Sequence, residues 1–94
     1  MYKFILPVNN YKESLLKKQT RKRNLIESGV EVYVSIFLSR KKILDYGEIS
    51  DKVVNLLEKA FIKSRNQIFK ISVERFKKER GNKERMVIEV LESE

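Results

Sequence analysis

The sequence has no cysteine, no histidine and no tryptophan, and only one proline and three glycines in 94 residues. Without cysteine there is neither a disulfide framework nor a thiolate-bound metal. Without histidine the chain loses the commonest general base and the commonest transition-metal ligand. Catalysis would have to rest on carboxylates, lysine, tyrosine or serine. The expectation adopted is a protein that is not an enzyme and holds no metal and no other cofactor, although these absences do not by themselves exclude carboxylate chemistry. No run approaches the roughly 18 consecutive apolar residues of a membrane-spanning helix. Tyr2 to Val8 is apolar but short for the core of a signal peptide, and it alternates as a strand does. With 41% hydrophobic and 36% charged residues, the composition is that of one folded, highly charged domain over 1–94. A domain this small buries only about 60–65% of the surface its unfolded chain exposes, so pairing into a symmetric homodimer would add burial.

Positive charge is what the chain has in excess: 21 Lys and Arg against 13 Asp and Glu, a net +8. It lies in three clusters. Lys17, Lys18, Arg21, Lys22 and Arg23 carry +5 with no acid between them. Arg40, Lys41 and Lys42 carry +3. Lys77, Lys78, Arg80, Lys83 and Arg85, less Glu79 and Glu84, carry another +3. The clusters total +11, so the remainder of the chain carries −3. Charge gathered in this way creates a local field that attracts polyanions, of which nucleic-acid phosphates are the commonest.

Apolar periodicity sets the order of elements. Residues 2–6 read as a strand with Tyr2, Phe4 and Leu6 on one face, ended by Pro7, which cannot donate to a ladder. Asn9 or Asn10 can cap a helix from about Tyr11 to Ser28, with a thin stripe of Leu15, Leu16, Leu25 and Ile26. Gly29 suits a left-handed position just past that helix. Val30 to Leu38 alternates cleanly, with Val30, Val32, Val34, Ile36 and Leu38 directed inward and Tyr33 and Phe37 outward. Residues 39–49 read as a long connection broken at Gly47. Ser50 then caps a helix over roughly 51–63 with Val53, Leu56, Leu57, Ala60 and Phe61 on its apolar face. Gln67 to Phe76 reads as a third strand, with Phe69, Ile71 and Val73 inward. Arg85 to Leu91 is the fourth, with Met86, Ile88 and Val90 inward. Gly81-Asn82 between them is a hairpin turn signal, and its charged flanks predict a long basic β-arm. The expected fold is an α/β two-layer sandwich of order β-α-β-α-β-β, a four-stranded mixed sheet with two helices on one face.

Three short segments add a likeness. Pro7-Val8-Asn9-Asn10-Tyr11 leads into the first helix. Glu48-Ile49-Ser50-Asp51-Lys52-Val53-Val54 sets an Ile-Ser pair before an apolar stripe. Arg85-Met86-Val87-Ile88-Glu89-Val90 closes the chain as a strand. In this order, on a short basic chain, they resemble the Alba family of small archaeal chromatin and RNA-binding proteins. Gly29 to Ile36 followed by Arg40-Lys41-Lys42 is similar to the C-terminal domain of translation initiation factor 3, which shares the element order. Both resemblances imply nucleic-acid binding without catalysis. The Alba likeness carries over Asn10 and Tyr11, the exit of the second strand and the arm between the last two strands. Ile5 and Leu6 stand where that family has a Lys pair, and Asp45-Tyr46-Gly47 where it has an Arg-Gly-Arg-like segment.

The candidate nucleic-acid-binding residues are therefore Asn10, Tyr11, Arg40, Lys41, Lys42, Lys77, Lys78, Arg80, Lys83 and Arg85, with the Lys17–Arg23 run secondary. Each cluster also has a plainer reading as solvated charge. Glu79 and Glu84 favour it slightly for the arm. In the first helix, residues advancing about 100° each place the five cations around most of the circumference, so they cannot share one duplex. Tyr33 and Phe37 read as buried under a loop or a dimer contact, with base stacking as the alternative. The expected partner is double-stranded DNA or structured RNA, bound through phosphates with little sequence preference. That places the protein in the cytoplasm, on the nucleoid if DNA is the ligand. A ribosome-associated RNA-binding domain is the alternative, and a protein-interaction module with solubilising charge is another. A third is a divergent RusA-like endonuclease. Glu48 to Phe61 with Asn66-Gln67-Ile68 weakly resembles that family's helix-and-strand core, yet Ile49, Ser64 and Arg65 occupy its acid positions and only Asp51 matches.

Overall fold

The computed structural model describes residues 1–19, 25–39 and 43–93. They form β1 (Tyr2–Leu6), α1 (Glu13–Gln19), β2 (Val30–Leu38), α2 (Tyr46–Ala60), a 3-10 turn (Arg65–Gln67), β3 (Ile68–Lys77) and β4 (Arg85–Glu92). The element order is the one read from the sequence. The strands make one mixed sheet in the order β1-β4-β2-β3. The alternating residues of β1, β2 and β4 bury Phe4, Leu6, Val30, Val32, Val34, Ile36, Leu38, Met86, Ile88 and Val90 in one core with Leu16 of α1 and Ile49, Val53, Leu56 and Leu57 of α2. Phe61, just past α2, meets the rings of Tyr2 and Phe4 edge-on, with centroids 4.8 and 5.0 Å away. Among the described residues, no helix is long and apolar enough to cross a membrane.

The sheet order overturns the expected arm. β4 runs antiparallel to both β1 and β2 and lies between them, whereas among the described strands β3 pairs with β2 alone, in parallel. The last two strands are therefore not neighbours. Residues 78–84 cross the end of β2 instead of closing a hairpin. The Gly-Asn signal marks a local turn within that crossover: the Asn82 N–H donates to the Glu79 carbonyl at 3.1 Å, and Gly81 takes φ 86°. A side-chain reason lies in the two strands themselves. β4 buries Val87 on the outer face as well as Met86, Ile88 and Val90 on the inner, as a central strand does. β3 carries the exposed residues Lys70, Glu74, Phe76 and Lys77, which suit an edge.

Several local expectations fail for equally local reasons. Phe69 is 58% exposed rather than inward. The β2–β3 register shifts between Val30, opposite Ile68, and Glu31, opposite Lys70, so Phe69 is an extra residue that reverses the phase. Its ring lies against Gly29, where an added Cβ would come within 3.3 Å of it. Gly29 thus serves close approach and does not take positive φ. The described part of α1 is seven residues, not the long helix expected. Ile26, which the long helix would have included, instead bridges Ile62 in parallel. Neither Asn9 nor Asn10 caps α1. Asn9 takes φ 62°, and the Asn10 N–H turns back to the Pro7 carbonyl at 3.1 Å.

α2 begins five residues before the expected Asp51. Its cap is Asp45, not Ser50: the Asp45 carboxylate accepts from the Glu48 N–H at 3.0 Å. Gly47 is in the first turn, where N–H groups have no helical partner in any case. Replacing Asp45 by alanine should cost about 1 kcal/mol. The melting temperature should fall by about 4–8 °C. An unchanged thermal melt would show that this cap contributes nothing.

Candidate nucleic-acid interface

Strand direction decides which side chains meet. β1, β2 and β3 all run one way and β4 the other, so the exits of β1, β2 and β3 and the start of β4 share one end of the sheet. Both helices start from that end, because each follows a strand that exits there. The crossover spans it. The Lys78 N–H donates to the Leu38 carbonyl at 3.0 Å. Glu84 accepts from both the N–H and the hydroxyl of Ser39, each at 3.0 Å. The crossover is thereby tied to the end of β2 at two points.

Its two acids are both engaged. Glu79 accepts from the Asn82 amide at 3.0 Å and lies 3.4 Å from Nη2 of Arg85. The Asn82 hydrogen bond, with help from the Arg85 charge, holds the Glu79 carboxyl below its ordinary range. Glu84 is turned toward Ser39. Lys78 donates its amine to the Asn82 carbonyl. Lys77, Arg80 and Lys83 are exposed, and among the described residues none of them makes an ion pair. A rim of cations with their charge uncompensated is what phosphate oxygens require.

Immediately below the rim, on the face away from the helices, an aromatic column crosses three strands. Arg85, Phe37 and Phe76 occupy one row of the register. The Arg85 guanidinium carbon is 4.1 Å from the Phe37 ring centroid. Phe37 stacks on Phe76 with centroids 5.3 Å apart and planes 22° apart. Arg85 Nη1 is buried without a hydrogen-bond partner. Phe76 closes the column at the edge strand and is 42% exposed. The covering layer expected over Tyr33 and Phe37 is not found among the described elements, and both side chains are half-buried. Tyr33 donates its hydroxyl to Glu31 at 2.9 Å, and the Lys70 amine is 5.3 Å from its ring centroid.

The remaining candidates are dispersed. Asn10 and Tyr11 are at the same end but in the helical layer. Tyr11 lines an open groove with Glu13, Lys52, Asn55, Leu56 and Lys59. Burial raises the Tyr11 hydroxyl pKa, with the Lys52 ammonium opposing it. Lys17 pairs with Glu13 at 3.4 Å, and Lys18 is exposed further along α1. Arg21, Lys22 and Arg23, and all of Arg40, Lys41 and Lys42, lie outside the described residues.

The acids around α2 have local structural partners. Asp45 caps the helix, and Glu48 pairs with Lys52 at 2.8 Å. Where the endonuclease-like reading wants two acids, Ser64 caps the 3-10 turn and Arg65 bonds Asn55 at 2.7 Å and Glu58 at 3.0 Å. Those hydrogen bonds from Arg65 lower the Glu58 carboxyl pKa. Gln67, two residues further on, accepts from the N–H groups of Lys63 and Ser64 and donates to the carbonyls of Ile26 and Ser28. Among the described residues, no three acidic side chains gather where a metal ion could be held.

Sequence reasoning missed the aromatic column. Phe37 was visible on the outer face of its strand, but Phe76 joins it only through a parallel register displaced by a bulge. No protein-family model matches the chain, and no curated protein matches it.

Proposed function

We propose that this chain is a non-catalytic nucleic-acid-binding domain that grips the phosphate backbone of DNA or RNA with little sequence preference. The observation that carries the reading is the crossover rim, where Lys77, Arg80 and Lys83 point into solvent without an acidic partner while Glu79 and Glu84 are engaged elsewhere. Nucleic-acid affinity through such a rim comes from counterion release, which is indifferent to base sequence. The likeness to Alba proteins points the same way, although the arm that formed part of it is replaced by a crossover carrying the same cations. A symmetric pair of chains would present two rims to one polyanion.

A salt titration tests the reading. Fluorescence anisotropy with a labelled duplex, a single strand and a folded RNA should show log K falling with log salt. The slope should be about −2 to −3, as three phosphate contacts require. Binding that stays flat between low and high salt, or no binding at all, rejects it.

A further inference from the structure

The cationic rim borders the row that holds the aromatic column: Lys77 follows Phe76 in β3 with its side chain on the opposite face, and the crossover carries Arg80 and Lys83 from there to Arg85, which opens β4 beside Phe37. We propose that the outer face of the sheet is a base-stacking platform, on which Phe76 receives a nucleobase of a single-stranded nucleic acid while Lys77, Arg80 and Lys83 hold its phosphates. The proposal rests on the phosphate-binding reading above and adds to it the strandedness of the ligand.

Four features select this occupant. The column is built like a stack of bases, with a guanidinium, one ring and a second ring in succession, and it stops at an exposed ring. A planar π-system added at Phe76 continues it, and every nucleobase has such a face. Beside Phe76 lies an open pocket of about 250 Å³ lined by Tyr33, Ser35, Ser72, Glu74 and Glu89. Its hydroxyls and carboxylates can accept from or donate to the edge of a base. Charge is divided along the face. The rim is positive, whereas in the rows further down Glu31, Glu74 and Glu89 share the face with Lys3 and Lys70. Phosphates are therefore attracted to the rim rather than to the nearly balanced face, and bases turn inward from a backbone held at the edge. Finally, a duplex keeps its base faces stacked internally and cannot offer one to Phe76, whereas a single strand can.

The test uses the full chain, a fluorescein-labelled oligo(dT) 12-mer and a labelled duplex of the same length, titrated in parallel. Phe76→Ala should weaken oligo(dT) binding by about 5- to 150-fold. Duplex affinity and the salt slope should be unchanged. Phe76→Tyr, which keeps the ring, should bind as the parent does. Phe76→Leu, which keeps apolar bulk without a π-face, should weaken single-strand binding like the alanine variant and guards against a folding artefact in the latter. Oligo(dT) affinity unaltered in both the Ala and Leu variants overturns the platform. If those variants still lose affinity as salt rises, the rim stands without it. Failure of the parent to bind either probe would reject the phosphate reading itself. A change in sedimentation coefficient on Phe76→Ala with no change in oligo(dT) affinity also overturns the platform, because the face would then be covered by a second copy of the chain.

Discussion

Replacing Lys77, Arg80 and Lys83 together by glutamine should lower duplex affinity by two to three orders of magnitude at about 0.1 M monovalent salt, with no loss of stability. The size follows from counterion release. Each phosphate contact contributes about 0.9 to the salt slope on a duplex and about 0.7 on a single strand. At 0.1 M salt that is roughly an eightfold or fivefold factor per contact. Three lost contacts therefore lower the slope by about 2 to 3 in magnitude. All three side chains are exposed and none is ion-paired among the described residues, so melting should be unchanged within about 0.5 kcal/mol. Arg85 is left in place in this variant. Its guanidinium covers Phe37 and approaches Glu79, so its removal would disturb packing as well as charge. Anisotropy across a salt series reads both quantities, and a slope equal to the parent's would remove the rim from the interface.

Ile88→Ala should be the most damaging single truncation of the core. Ile88 is fully buried in β4, opposite Phe4 of β1 and Val34 of β2. The cavity left by such a change costs about 2–5 kcal/mol. A chain of this length has only about 5–14 kcal/mol in total. The melting temperature should fall by about 10–35 °C. The effect is large because β4 is the strand through which β1 joins the sheet, so loosening it loosens both. Ile43→Ala, at a fully exposed site, should leave the melt where it was. Thermal and denaturant unfolding by circular dichroism measure the pair. A loss below 1 kcal/mol at Ile88 would mean that β4 is not a central strand in solution.

Element identity was legible because it depends on neighbours in sequence. Val30 to Leu38 alternates over nine residues, and β2 has those bounds with the predicted face buried. The apolar positions at three, four and seven residues in α2 bury Val53, Leu56, Leu57 and Ala60. The start of α2 was misplaced because Asp45 and Ser50 are both good caps, and only the backbone turn at Asp45 chooses between them. The length of α1 was misread because a thin apolar stripe leaves the choice to tertiary partners, and Ile26 finds one in Ile62.

The amino-acid order alone determined the kinds of element, their sequence along the chain, which residues of β1, β2 and β4 alternate into the core, and that cationic residues dominate the segment between the last two strands. Tertiary structure decided which strands are neighbours, and so converted an expected hairpin into a crossover and brought Phe76 of β3 beside Phe37 of β2. The physical reason is the range of the interactions. Periodicity records burial, which each residue expresses through its own side chain, whereas strand pairing depends on backbone hydrogen bonds that every residue offers alike. Partner and register are settled only when the two faces of each strand compete for the available burial, and the strand with apolar residues on both faces takes the centre.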